Sequence, residues 1–319
     1  MRLAAAALVA LLGSAAAHAA DAYPTRPVHL VVPFAAGGGT DLVARAVADA
    51  IAQDWKATIV VDNKPGAGTT LGAVAVAQAP ADGYSVLANT ASFLISPHMM
   101  AKQPYDAARD FVPVALLASS PHVLVVGPNV PVKTLSEFTA WAKAQPQPPT
   151  FASFGTGSSS HLGYEILRSR LGLAMVHVPY RGAAPALLDL LGGRVDTMLA
   201  DLSAVAEHVK SGAVRAIAVT SDRRAASLPD VPTIKEAGLD GFRSESWFGL
   251  VAKAGTDADV VRRWNAAANA ALANPSVRSK LEQIGIEPLG STPEAFGAFM
   301  RDEAEKYVAA VKQSGAKLD

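Results

Sequence analysis

The sequence predicts an α/β protein of two domains, on three observations. Short apolar runs rich in Val, Ile and Leu alternate with alanine-rich stretches whose apolar residues recur at helical spacing, the pattern of parallel strands covered by helices. Two glycine-rich turns, Pro33 to Asp41 and Gly155 to His161, each join such a strand to such a helix. The chain has 319 residues, of which 50% are hydrophobic, enough for two separate cores.

Ahead of this pattern stand Arg2, the apolar stretch Leu3 to Leu12, the break Gly13-Ser14 and the small residues of Ala17-His18-Ala19. That is the layout of a secretory signal peptide, so residues 1–20 are expected to be removed on export. No later stretch reaches the roughly 20 uninterrupted apolar residues of a membrane span. In a bacterium with two membranes the mature protein is expected in the periplasm. The chain contains no cysteine, which excludes disulfides, thiolate metal sites and a lipid anchor at the cleavage point. Basic and acidic residues balance at 28 each, so neither a nucleic-acid groove nor a polybasic membrane patch is expected.

From Pro27 the elements follow in order. Val28 to Pro33 reads as a strand, and after the glycine loop Thr40 to Asp54 reads as a helix. Ala57 to Val61 is the second strand, Asp62 to Gly66 a turn, Thr69 to Ala79 a helix, Ala81-Asp82-Gly83 a turn and Tyr84 to Ala88 the third strand. Ligands of such sheets bind beyond the carboxyl ends of the strands, where the glycine loop falls. Phe111 to Val126 holds two extended runs, Val112 to Leu117 and His122 to Val126, around Ser119-Ser120-Pro121; the second run is read as the crossing into another domain. Thr134-Leu135-Ser136-Glu137 has the spacing of a capping box, in which hydroxyl and carboxylate each satisfy the other residue's free N–H. A helix starts there and ends before the proline cluster Gln145 to Pro149.

Thr150 to Phe154 is the strand that feeds the second glycine turn, and Leu162 to Leu171 the helix after it. Strands at Ala174 to Pro179, Val195 to Ala200 and Val214 to Thr220 alternate with helices at Ala184 to Leu191 and Ala204 to Ser211, closed by Gly192-Gly193 and Gly212. Beyond Leu228 to Pro232 the chain is read as turning back. Ser246 to Ala252 is a strand, and Asp257 to Ala273 and Ser276 to Ile284 are helices. A last helix to Gln313 opens at Thr292-Pro293-Glu294 with a hydroxyl cap, a proline and an acid. The expected domains are residues 21–121 with 223–319, and residues 122–222.

Three successive glycines, Gly37 to Gly39, let the backbone turn tightly and bring bare N–H groups to a ligand, and the helix N-terminus behind them favours an anion. A tight turn without a ligand is the alternative. The second turn repeats the arrangement with hydroxyls in place of a third glycine, and two such cradles in one chain favour anion binding. Neither turn ends in Gly-Lys-Ser/Thr, and the first fails Gly-x-Gly-x-x-Gly because Leu42 holds the sixth position, so no nucleotide cofactor is expected. The seven histidines are scattered without ligand spacing, so no metal is expected.

Ser158, Ser159 and Ser160 beside His161 raise the alternative of an exported hydrolase or transferase. No Gly-x-Ser-x-Gly elbow surrounds them, however, and neighbours on one helical turn seldom orient as nucleophile and base. No catalytic residue is expected. Backbone amides and uncharged hydroxyls suit reversible capture of a carboxylate. Asp41 is expected to cap its helix and brace the loop. Tyr180 either lines a pocket or packs on the sheet end, and Arg181 either faces a ligand or is a solvated loop residue. Asp201, at a strand's carboxyl end, accepts from a substrate amine or hydroxyl or else caps the next helix. Trp247 and Phe248 are expected in the core.

Several stretches, taken in order, resemble the periplasmic solute receptors of tripartite tricarboxylate transporters, often called Bug receptors. They are Tyr23 to Pro27, Val32 to Asp41 with Ala44-Arg45, Asn63 to Gly68, Pro104-Tyr105-Asp106 with Asp110-Phe111, Phe154 to Leu162, Pro179 to Gly182, and Trp247 to Leu250. The resemblance implies the type II periplasmic binding-protein fold, two α/β domains around a ligand cleft in the manner of a Venus flytrap. It implies ligand-binding residues Phe34, Ala36, Gly37, Gly38, Thr40 and Asp41 in the first loop and Gly155, Thr156, Gly157, Ser158, Ser159 and His161 in the second, partly through ordered waters. Ser92, Tyr180 and Asp201 are its candidates for the variable side of the pocket. Lys253 and Asp257 depart from the family pattern, in which proline surrounds an Ala-Gly-Thr segment. The implied partners are a small carboxylate and the integral-membrane permease subunits of such a transporter, with a sensor kinase as the alternative receiver of the signal. The receptor itself is expected to be a monomer.

Overall fold

The computed structural model describes residues 23–314 and residue 317, so the expected signal peptide lies outside the described residues. Strand β1 (Val28–Val32) runs between β2 (Ile59–Asn63) and β3 (Ser85–Asn89), parallel to both. The crossovers are α1 (Gly39–Trp55) and α2 (Thr70–Gln78). In α1 the buried residues Val43, Ala44, Val47, Ala48 and Ile51 recur every three to four positions, which makes one apolar stripe against the sheet.

A short helix absent from the sequence expectations, α3 (Ala91–Ile95), follows β3 and continues into a 3-10 turn at Ser96–Met99. All of these residues except His98 are buried. A helix with no exposed face carries no amphipathic period, so its sequence gives no helical signal.

Strand β4 (Phe111–Val126) is one continuous element of 16 residues, where the sequence suggests two runs; Ser119-Ser120-Pro121 stay extended within it. Through Pro121 it pairs antiparallel with β9 (Glu245–Lys253), which itself lies beside β3. From His122 onward it pairs with β7 (Thr197–Asp201) and β8 (Arg215–Val219). Beyond β7 lie β5 (Thr150–Ser153) and β6 (Val176–Pro179), parallel to one another. The order β2-β1-β3-β9-β4-β7-β5-β6 is thus continuous, with β4 as the strand that changes partners midway.

The remaining helices are α4 (Leu135–Ala144), α5 (Ser159–Leu171), α6 (Ala183–Leu191), α7 (Leu202–Lys210), α8 (Ala258–Ala273), α9 (Pro275–Gln283) and α10 (Pro293–Ser314); a two-residue strand, β10 (Glu287–Pro288), edges β4. The capping box forms as its spacing predicts: Thr134 accepts from the Glu137 N–H, and Glu137 accepts from the Thr134 N–H. Helix α5 starts three residues earlier than its apolar pattern suggests, at Ser159.

Apolar clusters cover both faces of each half of the sheet. Trp247 and Phe248 are core residues, as expected. Leu228 packs with Val123 and Val219, and Ile234 and Phe242 pack with Leu124 and Phe151, so residues 228–242 lie on the half that contains β5 to β8. Three strands of backbone meet where the chain passes between the halves. The His122 N–H donates to the Ser244 carbonyl at 3.2 Å, and the Thr220 N–H donates to the His122 carbonyl at 2.9 Å. The Thr220 hydroxyl also reaches the carbonyls of His122 and Ser244.

Candidate ligand site

The first cradle spans the end of β1 and the start of α1. Gly37 has φ 88°, a left-handed conformation that glycine adopts without strain. Gly38 precedes the helix without a side chain to cap it, and Asp41, in the first turn, does not cap the helix as expected but bonds the loop before it. Its Oδ2 accepts from the Gly37 N–H and from Arg45 Nε, both at 2.9 Å, and its Oδ1 accepts from Asn63 Nδ2 at 2.9 Å. Asn63 Nδ2 also reaches the Phe34 carbonyl at 3.0 Å, so the last residue of β2 clips the loop to the helix. Burial would raise the Asp41 carboxyl, but the donors Arg45, Gly37 and Asn63 outweigh it and hold the group below the usual carboxylate range. Asp41 is buried at 2% exposure and braces the loop. Helix geometry leaves the N–H groups of Gly39 and Thr40 without an intrahelical acceptor, and these are the donors available to an anion. Phe34 is half-buried, whereas Ala36, Gly37 and Gly38 are exposed.

The second cradle joins β5 to α5. Gly155 and Gly157 take φ 135° and 80°. A Cβ on Gly157 would stand 2.8 Å from the Met99 sulfur, so the turn presses directly on the segment after α3. The Ser158 hydroxyl accepts from the His161 N–H at 3.2 Å and donates to the Gly155 carbonyl at 2.7 Å. The Ser160 hydroxyl donates to the Leu199 carbonyl at 2.6 Å. Both protons are therefore committed inside the protein, and the N–H groups of Ser159 and Ser160, at the start of α5, have no intrahelical acceptor. Thr156 is half-buried on the turn.

His161 sits under this turn at 3% exposure, and its Nδ1 accepts the Gly157 N–H at 3.2 Å. Its ring stacks on His177 with centroids 3.8 Å apart, and His177 Nε2 lies 2.7 Å from the Ser153 hydroxyl. Burial, with His177 and Arg168 nearby, pushes His161 down to about 3; burial and Arg168 push His177 down to about 4. Both rings are neutral supports of the turn. Because Nδ1 of His161 is occupied by a backbone amide and its Nε2 faces Glu165 at 4.0 Å, the serine and histidine of this turn do not form a nucleophile and base.

The other candidates scatter around these two turns. Ser92 is buried in α3. Tyr180 packs its backbone beside Gly155 and donates its hydroxyl to Asp189 at 2.6 Å; burial and Asp189 push the phenol up to about 12. Arg181 is exposed. The Asp201 side chain does not cap α7 but accepts from the Ser246 hydroxyl at 2.7 Å.

Ser246 and Phe248 are two residues apart and share a face of β9. The Ser246 hydroxyl lies 3.3 Å from that of Ser159, in the second cradle, and a Cβ on Gly39, in the first, would stand 3.2 Å from the Phe248 ring. Both cradles therefore border one face of one strand. Sequence inspection misses Asn63, His122, His177 and Ser246 as parts of this arrangement, because each acts on a residue far away in the chain. Only the polar types of His122 and Ser246 within apolar strand runs hint at a partner.

A family model described as tripartite tricarboxylate transporter family receptor matches residues 43–316. Protein BugT of Bordetella pertussis is 36% identical over 312 residues, covering 97% of this chain and 96% of the relative. Two solved structures from Rhodopseudomonas palustris are also similar. Rpa4515 with adipate has a TM-score of 0.85 at 34% identity, covering 92% of this chain and 99% of the other. MatC with bound malate has a TM-score of 0.82 at 33% identity, covering 91% and 100%. The fold is the type II periplasmic binding-protein fold, two α/β domains around a cleft, and the proteins that share it at this similarity are solute receptors, not enzymes. The chain belongs to the tripartite tricarboxylate transporter receptor family.

Proposed function

We propose that the protein is a periplasmic receptor that clamps one small carboxylate between its two glycine cradles and delivers it to the permease subunits of a tripartite tricarboxylate transporter. The observation that carries this is the convergence of two helix starts, those of α1 and α5, on one face of β9. Each offers backbone N–H groups held in place by its own buried supports, Asp41 in one and His161 in the other. Neutral donors of this kind hold an anion and release it, which suits a carrier. The adipate and malate named with the similar structures support a carboxylate with a short aliphatic body as the ligand class.

The ligand-binding set is Phe34, Ala36, Gly37, Gly38 and Thr40 in one jaw and Gly155, Thr156, Gly157, Ser158 and Ser159 in the other, with Ser92 and Tyr180 bordering the pocket. Asp41 and His161 act from below. Among the described residues the two domains are 23–121 with about 244–314, and 122–243. The packing of Leu228, Ile234 and Phe242 on the second half of the sheet supports a return near residue 243 in place of 223.

Thermal-shift measurements against a panel of mono- and dicarboxylic acids test the function. A specific ligand raises the midpoint in proportion to the logarithm of its concentration over Kd. A flat response to every acid, from protein shown by mass spectrometry to be ligand-free, contradicts it.

A further inference from the structure

Ser246 lies one residue into β9, close to the point where the chain passes from one half of the sheet to the other, and its hydroxyl joins four elements. It donates to Asp201 Oδ1, at the end of β7, at 2.7 Å. Ser159 Oγ, the first residue of α5, and Nε2 of His122, the residue at which β4 changes partner, each lie 3.3 Å from it. His122 is fully buried; its Nε2 is also 3.3 Å from Asp201 Oδ1, and its Nδ1 is 2.8 Å from the Ser244 hydroxyl.

The direction of each bond follows from the donor inventory. A serine hydroxyl carries one hydrogen, and that of Ser246 goes to the carboxylate. Ser159 must then donate to Ser246. His122 Nε2 is the remaining donor, and Nδ1 accepts from Ser244, an assignment of the tautomer made from its neighbours. The chain of bonds runs unbroken from the second cradle to the crossing strands, and it leaves Asp201 occupied.

We propose that Ser246 is a positioning residue for ligand capture: it ties the second cradle to the crossing strands through Ser159 and draws the Ser159 proton away from the ligand. The inference rests on the cradle being the ligand site. The second jaw then meets a carboxylate with backbone N–H groups alone, and Asp201 serves the joint between domains instead of touching the ligand. A cradle fixed in this way moves as one body with the strands that close the cleft, so less ordering cost falls on the bound state.

Hydrogen exchange of the ligand-free protein tests the tie, and calorimetry with malate, succinate and adipate tests its effect on binding. Ser246→Ala speeds amide exchange in residues 155–162 several-fold and leaves residues 37–42 at the wild-type rate. It also weakens binding about 5-fold, the effect of one lost hydrogen bond. Ser159→Ala does the same, the double variant loses no more than either single one, and Ser246→Thr, which keeps the hydroxyl, restores both readouts. A wild-type protein that binds none of the three acids overturns the ligand role itself. A protein that binds one of them, with exchange in residues 155–162 unchanged by Ser246→Ala, overturns the tie alone.

Discussion

Asp41 and His161 brace the two turns of the proposed ligand site without presenting their own charge to it. Each spends its acceptor on a glycine N–H in the turn above, Gly37 or Gly157, and so fixes the loop that exposes the remaining amides. The short-range half of this was legible in the sequence. Asp41 stands in the first turn of its own helix, and local spacing is enough to suggest a brace. The role of His161 was not, because it depends on a ring 16 residues away, His177, which stacks on it at 3.8 Å. The two rings make a pH prediction. Their folded values lie below the ordinary histidine value of 6.5, at about 3 and about 4. Below pH 6.5 the unfolded chain takes up protons that the folded protein refuses, so stability falls as pH drops from about 6.5 toward 3. Urea unfolding midpoints across that window should show the decline, and His177→Phe, which keeps a ring in the stack and removes one titration, should flatten its slope.

Helices with a solvated face were read from pattern, and the buried helix α3 was not. Helices α1, α4 and α8 alternate buried and exposed positions, and the Thr134 capping box marks the start of α4 to the residue. Helix α3 has a sequence, Ala91 to Ile95, that is buried on all sides, and β4 runs through Pro121 because its neighbour β9 supports it there. Tertiary contact decided both. Helix α5 ties these elements together. Its Gly163 packs on Ser244, and a Cβ at that position would drive into the Ser244 hydroxyl. Alanine in place of glycine inside a helix ordinarily stabilises by about 1 kcal/mol. Gly163→Ala should instead destabilise the protein by about 1–3 kcal/mol, the usual cost of overpacking. Chemical denaturation reads the sign directly, and a gain in stability would show that α5 does not press on the crossing.

Across the whole molecule the two glycine turns make sense only as a pair. Each is one end of a parallel strand-to-helix unit, on opposite sides of the crossing made by β4 and β9. A ligand held by one turn alone shifts no equilibrium between open and closed forms, whereas one that touches both stabilises closure by its differential affinity. The repeated turn was visible in the sequence; the strand face between its two copies was not, since Ser246 and Phe248 lie more than 85 residues from either serine or glycine they meet. Small-angle X-ray scattering of the ligand-free protein, with and without a saturating acid from the thermal-shift panel, tests the clamp most directly. The radius of gyration should fall when the acid binds, and an acid that binds while the radius stays unchanged would contradict a clamp between two jaws.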